Sequence, residues 1–265
     1  MQAKGMLSPA AWATKTRLEI SEVATADGSV AVIPVGSIEQ HGHHLPVATD
    51  TFLADAVSHH GAERVIDDFP ILVTPPVWTG YSPHHMSLGG TLTVELTDLL
   101  DVLTHLAESA IEHGFDAICF VNGHGGNASL VDNTVSVIGK EHSEVEVTGV
   151  TYFSLAASFI DNIRESELGG MAHGGEFETS LMLHLYPELV KEDAPAEYLE
   201  DPYDHGGKDL VEGGPLSSYR PFEDFSDSGA IGDPSLASAE KGEEIMSRLG
   251  DELETIFQQI HDEAK

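Results

Sequence analysis

One stretch of the chain, residues 35–50, constrains the fold and the function of this protein more than any other. It reads VGSIEQHGHHLPVATD and follows the apolar, β-branched run of residues 30–35, which is typical of a buried strand. Gly42 and Pro46 indicate that the stretch itself is an irregular loop at the end of that strand. Its two acidic residues and three histidines are Glu39, His41, His43, His44 and Asp50.

Carboxylate oxygens and imidazole nitrogens at such short spacing are the ligands that a divalent cation takes in proteins. A polar turn with surface histidines would explain one or two of these residues, but it explains five together less well. Ligands on a loop at the end of a strand also suit a catalytic metal better than a structural one. The stretch therefore predicts a catalytic metal site.

The order of the predicted elements indicates an α/β fold. Strand, loop and helix recur along the chain, which favours a largely parallel sheet covered by helices on both faces. Ligands bind outside the carboxyl ends of the strands in such sheets. The predicted helices span residues 8–25, 50–65 with Thr49 as the cap, 95–113, 128–142, 154–165, 179–186 and 235–263. The predicted strands span residues 30–35, 71–73, 116–121 and 145–153, and a further short strand is expected within 187–235.

The composition favours one large domain of residues 1–265 and limits its partners. Lys and Arg number 12 against 45 Asp and Glu, a formal net charge of −33, so nucleic acid and anionic membranes are disfavoured as partners. The acidic residues recur throughout the chain, which is typical of proteins from a salt-rich cytoplasm where ions screen self-repulsion. The single cysteine, Cys119, excludes an intramolecular disulfide and a cysteine-rich zinc site. Because no apolar segment suits a signal peptide or a membrane helix, a soluble, cytoplasmic protein is expected.

Two later loops carry the same kinds of side chain. Residues 122–127, NGHGGN, place His124 between glycines just beyond an apolar strand, where it is a candidate metal ligand or an ordinary loop histidine. Residues 173–178, HGGEFE, bring His173, Glu176 and Glu178 together. The helix dipole favours such acids at a helix N-terminus. A histidine with two carboxylates also supplies a metal ligand and a general acid/base.

These motifs resemble the creatininase (creatinine amidohydrolase) family, which includes the archaeal formamidopyrimidine deformylase and the mycofactocin precursor peptidase. The resemblance is carried by PVGSIEQHG at residues 34–42, by LP at 45–46 with Asp50, by NGHGGN at 122–127 and by HGGEFETS at 173–180. A closing GDP at residues 232–234, with AEKG at residues 239–242, is also similar to the family. The resemblance spans most of residues 12–250.

The resemblance implies a three-layer α/β/α domain with two divalent metal ions at the carboxyl edge of its sheet. Glu39 and His124 would bind one metal, and His41 the other. Asp50 would bridge the two. Zn, Mn and Fe all accept this mixture of imidazole and carboxylate ligands.

One acidic ligand is missing from the expected place. Creatininase has a glutamate two residues after the histidine that matches His124, whereas this chain has Gly126. The remaining carboxylate must therefore come from elsewhere. Glu178 is the first choice and Glu176 the second.

The expected reaction is attack on an amide carbonyl by a hydroxide that bridges the two metals. His173 is expected to protonate the leaving nitrogen, aided by Glu176 if Glu178 is the ligand. The residues expected to contact the substrate are Ser82, His85 and Gly125. Two histidines, His43 and His44, are expected to hydrogen-bond to the ligands or to line the pocket. The other histidines are expected on the surface or on helix faces: His59, His60, His105, His113, His142, His184, His205 and His261.

The predicted function is a metal-dependent amidohydrolase that cleaves a non-peptide or terminal C–N bond in a small molecule. Deformylation of a formamidopyrimidine nucleotide is the leading activity, followed by cleavage of a precursor peptide and then by creatinine hydrolysis, because NGHGGN looks like the deformylase and peptidase branches. The alternative from another class is a non-catalytic metal- or ligand-binding protein with the same fold. Members of the family commonly form rings or hexamers, so a homo-oligomer is expected, with a hexamer favoured.

Overall fold

The structure is a computed structural model that describes residues 7–192, 194–198 and 203–265. Its sheet has four parallel strands in the order β2-β1-β3-β4. The strands are β1 (Val30–Val35), β2 (Ile71–Val73), β3 (Ala117–Asn122) and β4 (Glu146–Thr151). Val30 lies opposite Ile71 on one side and opposite Ala117 on the other.

The described residues form six α-helices and several short 3₁₀ turns. The helices are α1 (Arg17–Ala24), α2 (Thr49–Val65), α3 (Leu96–His113), α4 (Ala128–Glu141), α5 (Glu176–Leu185) and α6 (Ala239–Glu263). Of these, α2, α3 and α4 connect successive strands. The 3₁₀ turns are Trp12–Thr14, Pro83–Leu88, Gly125–Asn127, Tyr152–Ser158, Ile160–Asn162, Pro187–Leu189, Phe222–Asp224 and Pro234–Leu236.

The two faces of the sheet bury two separate apolar cores. Successive side chains of a strand point to opposite faces, so Val30 and Val32 join a core that includes residues of α2, α5 and α6. Ala31 and Ile33 join a second core with residues of α3 and α4. Helices therefore cover both faces of a parallel sheet. This architecture confirms the predicted three-layer α/β/α fold.

Several predicted boundaries were wrong because the helices begin at residues other than those expected. The predicted helix 8–25 is a 3₁₀ turn followed by α1, whose capping box joins Thr16 and Glu19. Thr49 is the first residue of α2 rather than its cap, which is Ala48. The last helix begins after Ser238, whose side chain accepts a hydrogen bond from the backbone of Lys241.

Two irregular regions also differ from the prediction. Residues 154–165 form 3₁₀ turns rather than an α-helix. Within 187–235, no strand occurs among the described residues, and the backbone of Glu197 instead makes an isolated bridge with Gly232. Residues 193 and 199–202 of this region lie outside the described part of the chain.

Two of the histidines expected on the surface or on helix faces lie on helices and are buried. His261 is 6% exposed, donates a 2.6 Å hydrogen bond from Nδ1 to the carbonyl of Gly28, and stacks on Phe69. Because a carbonyl oxygen can only accept, Nδ1 of His261 is the donor. His59 is 5% exposed and faces Asp55 at 3.6 Å. No helix among the described residues is long and apolar enough to cross a membrane.

The charge balance leads to a prediction about stability. A chain with a net charge of −33 repels itself when compact, and raising KCl from about 0.1 M to about 1 M shortens the Debye length from about 10 Å to about 3 Å. We expect the free energy of unfolding to rise over this range, as measured by urea denaturation at each salt concentration. A free energy that is constant or falls would contradict the prediction.

Candidate metal centre

The side chains predicted to bind metal lie together at the carboxyl edge of the sheet. Glu39 and His41 belong to the loop after β1, and His124 follows the neighbouring strand β3 by two residues. Asp50 and Glu178 lie in the first turns of α2 and α5. All five side chains are at least 96% buried. Parallel strands end at one edge, so loops that are distant in sequence converge there.

His41 directs its second ring nitrogen at two carboxylates. Its Nδ1 donates to the backbone carbonyl of Glu39 at 3.0 Å. Its Nε2 faces Asp50 Oδ1 at 3.0 Å and Glu178 Oε1 at 3.7 Å, and it makes no well-formed hydrogen bond to any described residue. Burial opposes protonation of His41, but the facing Asp50 and Glu178 raise its pKa well above the ordinary value, so a proton or a metal ion is favoured between the nitrogen and the carboxylates. Metal-binding histidines commonly donate their other nitrogen to a carbonyl in this way.

His124 repeats the arrangement with its two ring nitrogens exchanged. Its Nε2 lies 3.2 Å from the carbonyl oxygen of Tyr81 and 3.0 Å from Ser82 Oγ, both of which can accept its hydrogen. Its Nδ1 faces Glu39 Oε2 at 3.1 Å and Asp50 Oδ2 at 3.3 Å. The centre thus contains a second imidazole nitrogen that meets two carboxylates.

Asp50 belongs to both groups of donor atoms. Its Oδ1 faces His41, and its Oδ2 faces His124. Oδ2 is buried and makes no well-formed hydrogen bond to any residue that the structure describes. Glu178 also faces His41, and Glu39 forms a group of potential ligands with Asp50 and His124. Asp50 thus has one oxygen directed at each of the two histidines.

The buried negative charges of the centre also favour the binding of cations. Glu39, Asp50 and Glu178 are buried, and all their ion pairs within the described residues are with histidines rather than with lysine or arginine. Burial opposes ionisation of Glu39, but the facing His124 lowers its pKa to about 2. Burial likewise opposes protonation of His124, yet Glu39 and Asp50 raise its pKa to about 10. The donor atoms therefore fit divalent cations, since a metal ion can replace the protons that the imidazoles otherwise take up.

His173 and His85 lie on the open side of these ligands. His173 Nε2 donates to the backbone carbonyl of Gln40 at 2.6 Å, which leaves Nδ1 unprotonated and 3.6 Å from Glu39 Oε1. Burial and the nearby His41 keep the pKa of His173 well below its ordinary value. His85 Nδ1 accepts from the side-chain amide of Gln40 at 2.8 Å, so its Nε2 donates towards Glu39 Oε1 at 3.3 Å.

The structure therefore brings His173 into the centre in two ways. It forms one group of potential metal ligands with His41 and Glu178, and another with Glu39 and His85. Nδ1 of His173 can therefore act in proton transfer, as predicted, or bind a metal ion. In either role the carbonyl of Gln40 fixes the orientation of the ring.

The residues predicted to contact substrate occupy different places. Ser82 is fully buried behind the ligands, where its hydroxyl donates to Glu39 Oε2 at 2.6 Å and lies 2.7 Å from Ser37 Oγ. Its contacts therefore orient ligands. His85 borders the centre, and Gly125 is exposed on the loop beside His124. His44 bonds to Thr179 Oγ1 at 3.0 Å and so supports the α5 end of the centre, whereas His43 is exposed.

Glu176 is not brought into the centre. Its carboxylate accepts hydrogen bonds from the backbone of Glu165 at 3.1 Å and of Ser166 at 2.9 Å and pairs with Lys241 Nζ at 2.5 Å. It is fully buried, and these three donors occupy both of its oxygens. Glu176 therefore lacks the placement expected of a catalytic group or ligand. Of the two acids, Glu178 is the one that the structure places beside His41.

Comparison with known proteins agrees with this geometry. The model of the Creatininase family, described as creatinine amidohydrolase, matches residues 13–257. The chain belongs to the creatininase family. A crystal structure of creatinine amidohydrolase superposes with a TM-score of 0.81 at 27% identity and covers 96% of this chain and 98% of that one. The fold and the predicted membership of the family are thereby confirmed.

The curated relatives are hydrolases of different substrates. A mycofactocin precursor peptide peptidase from Mycobacterium ulcerans is 32% identical over 226 residues, which cover 83% of this chain and 81% of the relative. A creatinine amidohydrolase from Pseudomonas putida is 30% identical over 250 residues, which cover 85% of this chain and 87% of the relative. This creatininase-family chain is accordingly a hydrolase of the amidohydrolase type. Two solved creatininases, with TM-scores of 0.79 and 0.77, are described as a manganese form and a zinc–zinc mutant form.

Sequence reasoning missed three residues that shape the centre. Gln40 orients both His85 and His173. Its position inside the EQH motif could have identified it from the sequence. Lys241 lies far along the chain, and nothing local links it to Glu176. Phe222 lies in an irregular region without periodicity, and its ring packs on His85.

The shared carboxylate leads to a prediction about metal content. We expect Asp50→Asn to reduce the content from about two metals per chain to less than about one, because it weakens both groups of donors. The measurement is elemental analysis of protein purified in high salt. Asp55→Asn is the matched control, since Asp55 lies on the same helix but faces His59. Equal metal content in the Asp50 variant and the wild type would contradict the bridging role.

The two acids of α5 lead to a second prediction. Glu178→Gln should weaken metal binding by at least about tenfold, because it removes a ligand oxygen. Glu176→Gln should retain the metals but lower the free energy of unfolding by about 3 kcal/mol, because it leaves Lys241 without its buried partner. Metal titration and urea denaturation of both variants test this assignment. The opposite pattern would make Glu176 the ligand.

Proposed function

We propose that this chain hydrolyses a C–N amide bond of a small substrate with two divalent cations, Zn, Mn or Fe, held at the metal centre. The observation that carries the proposal is the pair of imidazole nitrogens, His41 Nε2 and His124 Nδ1, that face opposite oxygens of the buried Asp50 carboxylate. Glu178 would complete the ligands on the His41 side and Glu39 those on the His124 side. When bound, the cations supply an acidified water and a Lewis acid for the amide carbonyl.

The protein's own contribution to proton transfer comes from His173. Its Nε2–H is held by the carbonyl of Gln40, and its pKa lies well below the ordinary range, so the ring is neutral with Nδ1 able to accept a proton. Nδ1 would take a proton from the attacking water and return it to the departing nitrogen. The sequence-based expectation named His173 only as the donor. The hydrogen bond to Gln40 supports an acceptor role that precedes donation.

The surroundings of Gly126 bear on the substrate class. A Cβ atom added to Gly126 would lie 2.4 Å from Nε2 of His124 and 2.7 Å from the carbonyl oxygen of Tyr81. A glutamate at this position, as in creatininase, would therefore displace a metal-binding histidine. The carboxylate of Glu178 takes its place, which supports a substrate other than creatinine. A peptide bond, as in the peptidase relative, and a formamide, as in formamidopyrimidine deformylation, are the two proposed substrate classes.

A substrate panel tests the proposal. Protein loaded in turn with Zn, Mn and Fe is incubated with creatinine, short peptides and formylated aminopyrimidines, and the released amine or formate is measured. We expect cleavage of a peptide or a formamide and none of creatinine. Cleavage of no amide by protein that retains its metals would instead favour a non-catalytic metal-binding protein.

The role of His173 leads to a kinetic prediction. His173→Gln should lower kcat by about 10² to 10⁴, the usual contribution of a positioned acid/base. His43→Gln is the control, since His43 lies near the same loop but is exposed. Steady-state kinetics on the best substrate of the panel, together with metal analysis, separate loss of proton transfer from loss of metal. An unchanged kcat would exclude the proposed role.

A further inference from the structure

The ring of Phe222 packs against two histidines at the open side of the metal centre. Phe222 stacks on His85 with ring centroids 4.2 Å apart and meets the edge of His173 at 4.8 Å. Its side chain is 8% exposed although it belongs to a short 3₁₀ turn outside the helical layers. The side chain of His173, the group beneath it, retains only 12% exposure. A substrate that reaches His173 must therefore move or contact Phe222.

Phe222 is carried by a segment that we call the cap, residues 220–232. The cap is held in its middle by Glu197, whose carboxylate accepts hydrogen bonds from the hydroxyls of Ser226 at 2.8 Å and Ser228 at 2.9 Å. The backbone of Glu197 also pairs with Gly232 at the end of the cap. The cap contacts the centre as well. The backbone N–H of Ile231 donates to the carbonyl of His173 at 2.7 Å.

Gln40 connects the cap directly to the catalytic histidines. Its side-chain amide donates to the carbonyl of Gly229 at 2.8 Å and also to Nδ1 of His85. Gly229 has a φ of 90°, and a Cβ atom there would overlap the side chain of Gln40, so the approach requires glycine. The cap is therefore fixed with respect to the two imidazoles, and Phe222, near the start of the cap, packs against both of them.

We infer that Phe222 is the specificity-determining residue of this site and that it selects amides with a neutral, flat group beside the scissile bond. The inference rests on the proposed amidohydrolase function and adds a substrate class to it. The rings of Phe222, His85 and His173 form the wall that such a group would contact. A flat ring or planar amide can replace one partner of the Phe222–His85 stack and keep its contacts. A charged group would lose part of its hydration against the faces of these rings.

The first experiment asks whether Phe222 covers the centre. Zinc-loaded protein is mixed with excess EDTA, and the rate of zinc release is followed for the wild type, Phe222→Ala, Phe222→Leu and Tyr219→Ala. Tyr219 is the matched control, since it is an aromatic residue that lies just before the cap and is 69% exposed. We expect Phe222→Ala to release zinc on the order of tenfold faster because less apolar contact opposes local opening, with Phe222→Leu between it and the wild type. Release at the wild-type rate from both Phe222 variants would overturn the inference.

The second experiment tests the substrate class without requiring turnover. Diethyl pyrocarbonate modifies histidines at an unprotonated ring nitrogen, and peptide mass spectrometry gives the rate at His173, whose Nδ1 carries a lone pair and whose ring Phe222 also contacts. We expect benzamide, which is flat, to protect His173 in the wild type at a concentration about tenfold below that of cyclohexanecarboxamide, which is not, a difference equivalent to one added stacking contact. Phe222→Ala should abolish the difference, and Tyr219→Ala should keep it. Equal protection by the two amides in the wild type would overturn the inference.

The two experiments separate failure of this inference from failure of the proposed function. Protection and zinc release do not depend on cleavage, so a protein that cleaves no amide in the substrate panel can still show the selective binding. Conversely, an active amidohydrolase that shows neither effect would retain the proposed function without Phe222 as its specificity residue.

Discussion

The structure depends on burying three carboxylates at the end of a parallel sheet, where no lysine or arginine of the described residues pairs with them. An isolated buried carboxylate is costly, and groups so placed either take up protons or coordinate metals. Glu39, Asp50 and Glu178 meet this constraint through two histidines whose free nitrogens point between the carboxylates. This constraint explains how the histidine side chains of the loops are oriented. Each histidine is turned by a hydrogen bond from its other nitrogen, so the free nitrogen meets the carboxylates.

The surrounding fold makes this concentration of charge possible. Two apolar cores, one on each face of the sheet, fix β1 and β3 side by side, and the loops that leave them share one edge. The α5 end of the centre is fixed differently. The buried Glu176–Lys241 pair connects the start of α5 to α6, while Glu178 two residues later points to the metal ligands. The two acids in the first turn of α5 therefore have different roles. Glu176 connects α5 to α6, and Glu178 belongs to the centre.

The sequence predicted much of the centre because its ligands lie in short, chemically unusual motifs. Glu39, His41 and Asp50 lie close together in the chain, and glycines surround His124, so their chemistry was visible before folding. Boundaries of helices were predicted less well, since they depend on which side chain reaches a free N–H, as Thr16 does for α1. The roles of Glu176 and Ser82 were misjudged for a related reason. Both have the right chemistry, but their oxygens are bound by other groups.

The sequence by itself determined the class of fold, the family and the types of ligand, because alternation of apolar runs and clusters of histidine and acid are local properties. Only the tertiary structure decided between Glu176 and Glu178, because they differ by two positions on a helix and face different neighbours. Only the tertiary structure placed Phe222 over His85, since residues more than a hundred positions apart meet through the packing of the cap. The residue types determine which chemistry the centre can perform. The orientation of its side chains and their accessibility to substrate depend on how distant segments pack together.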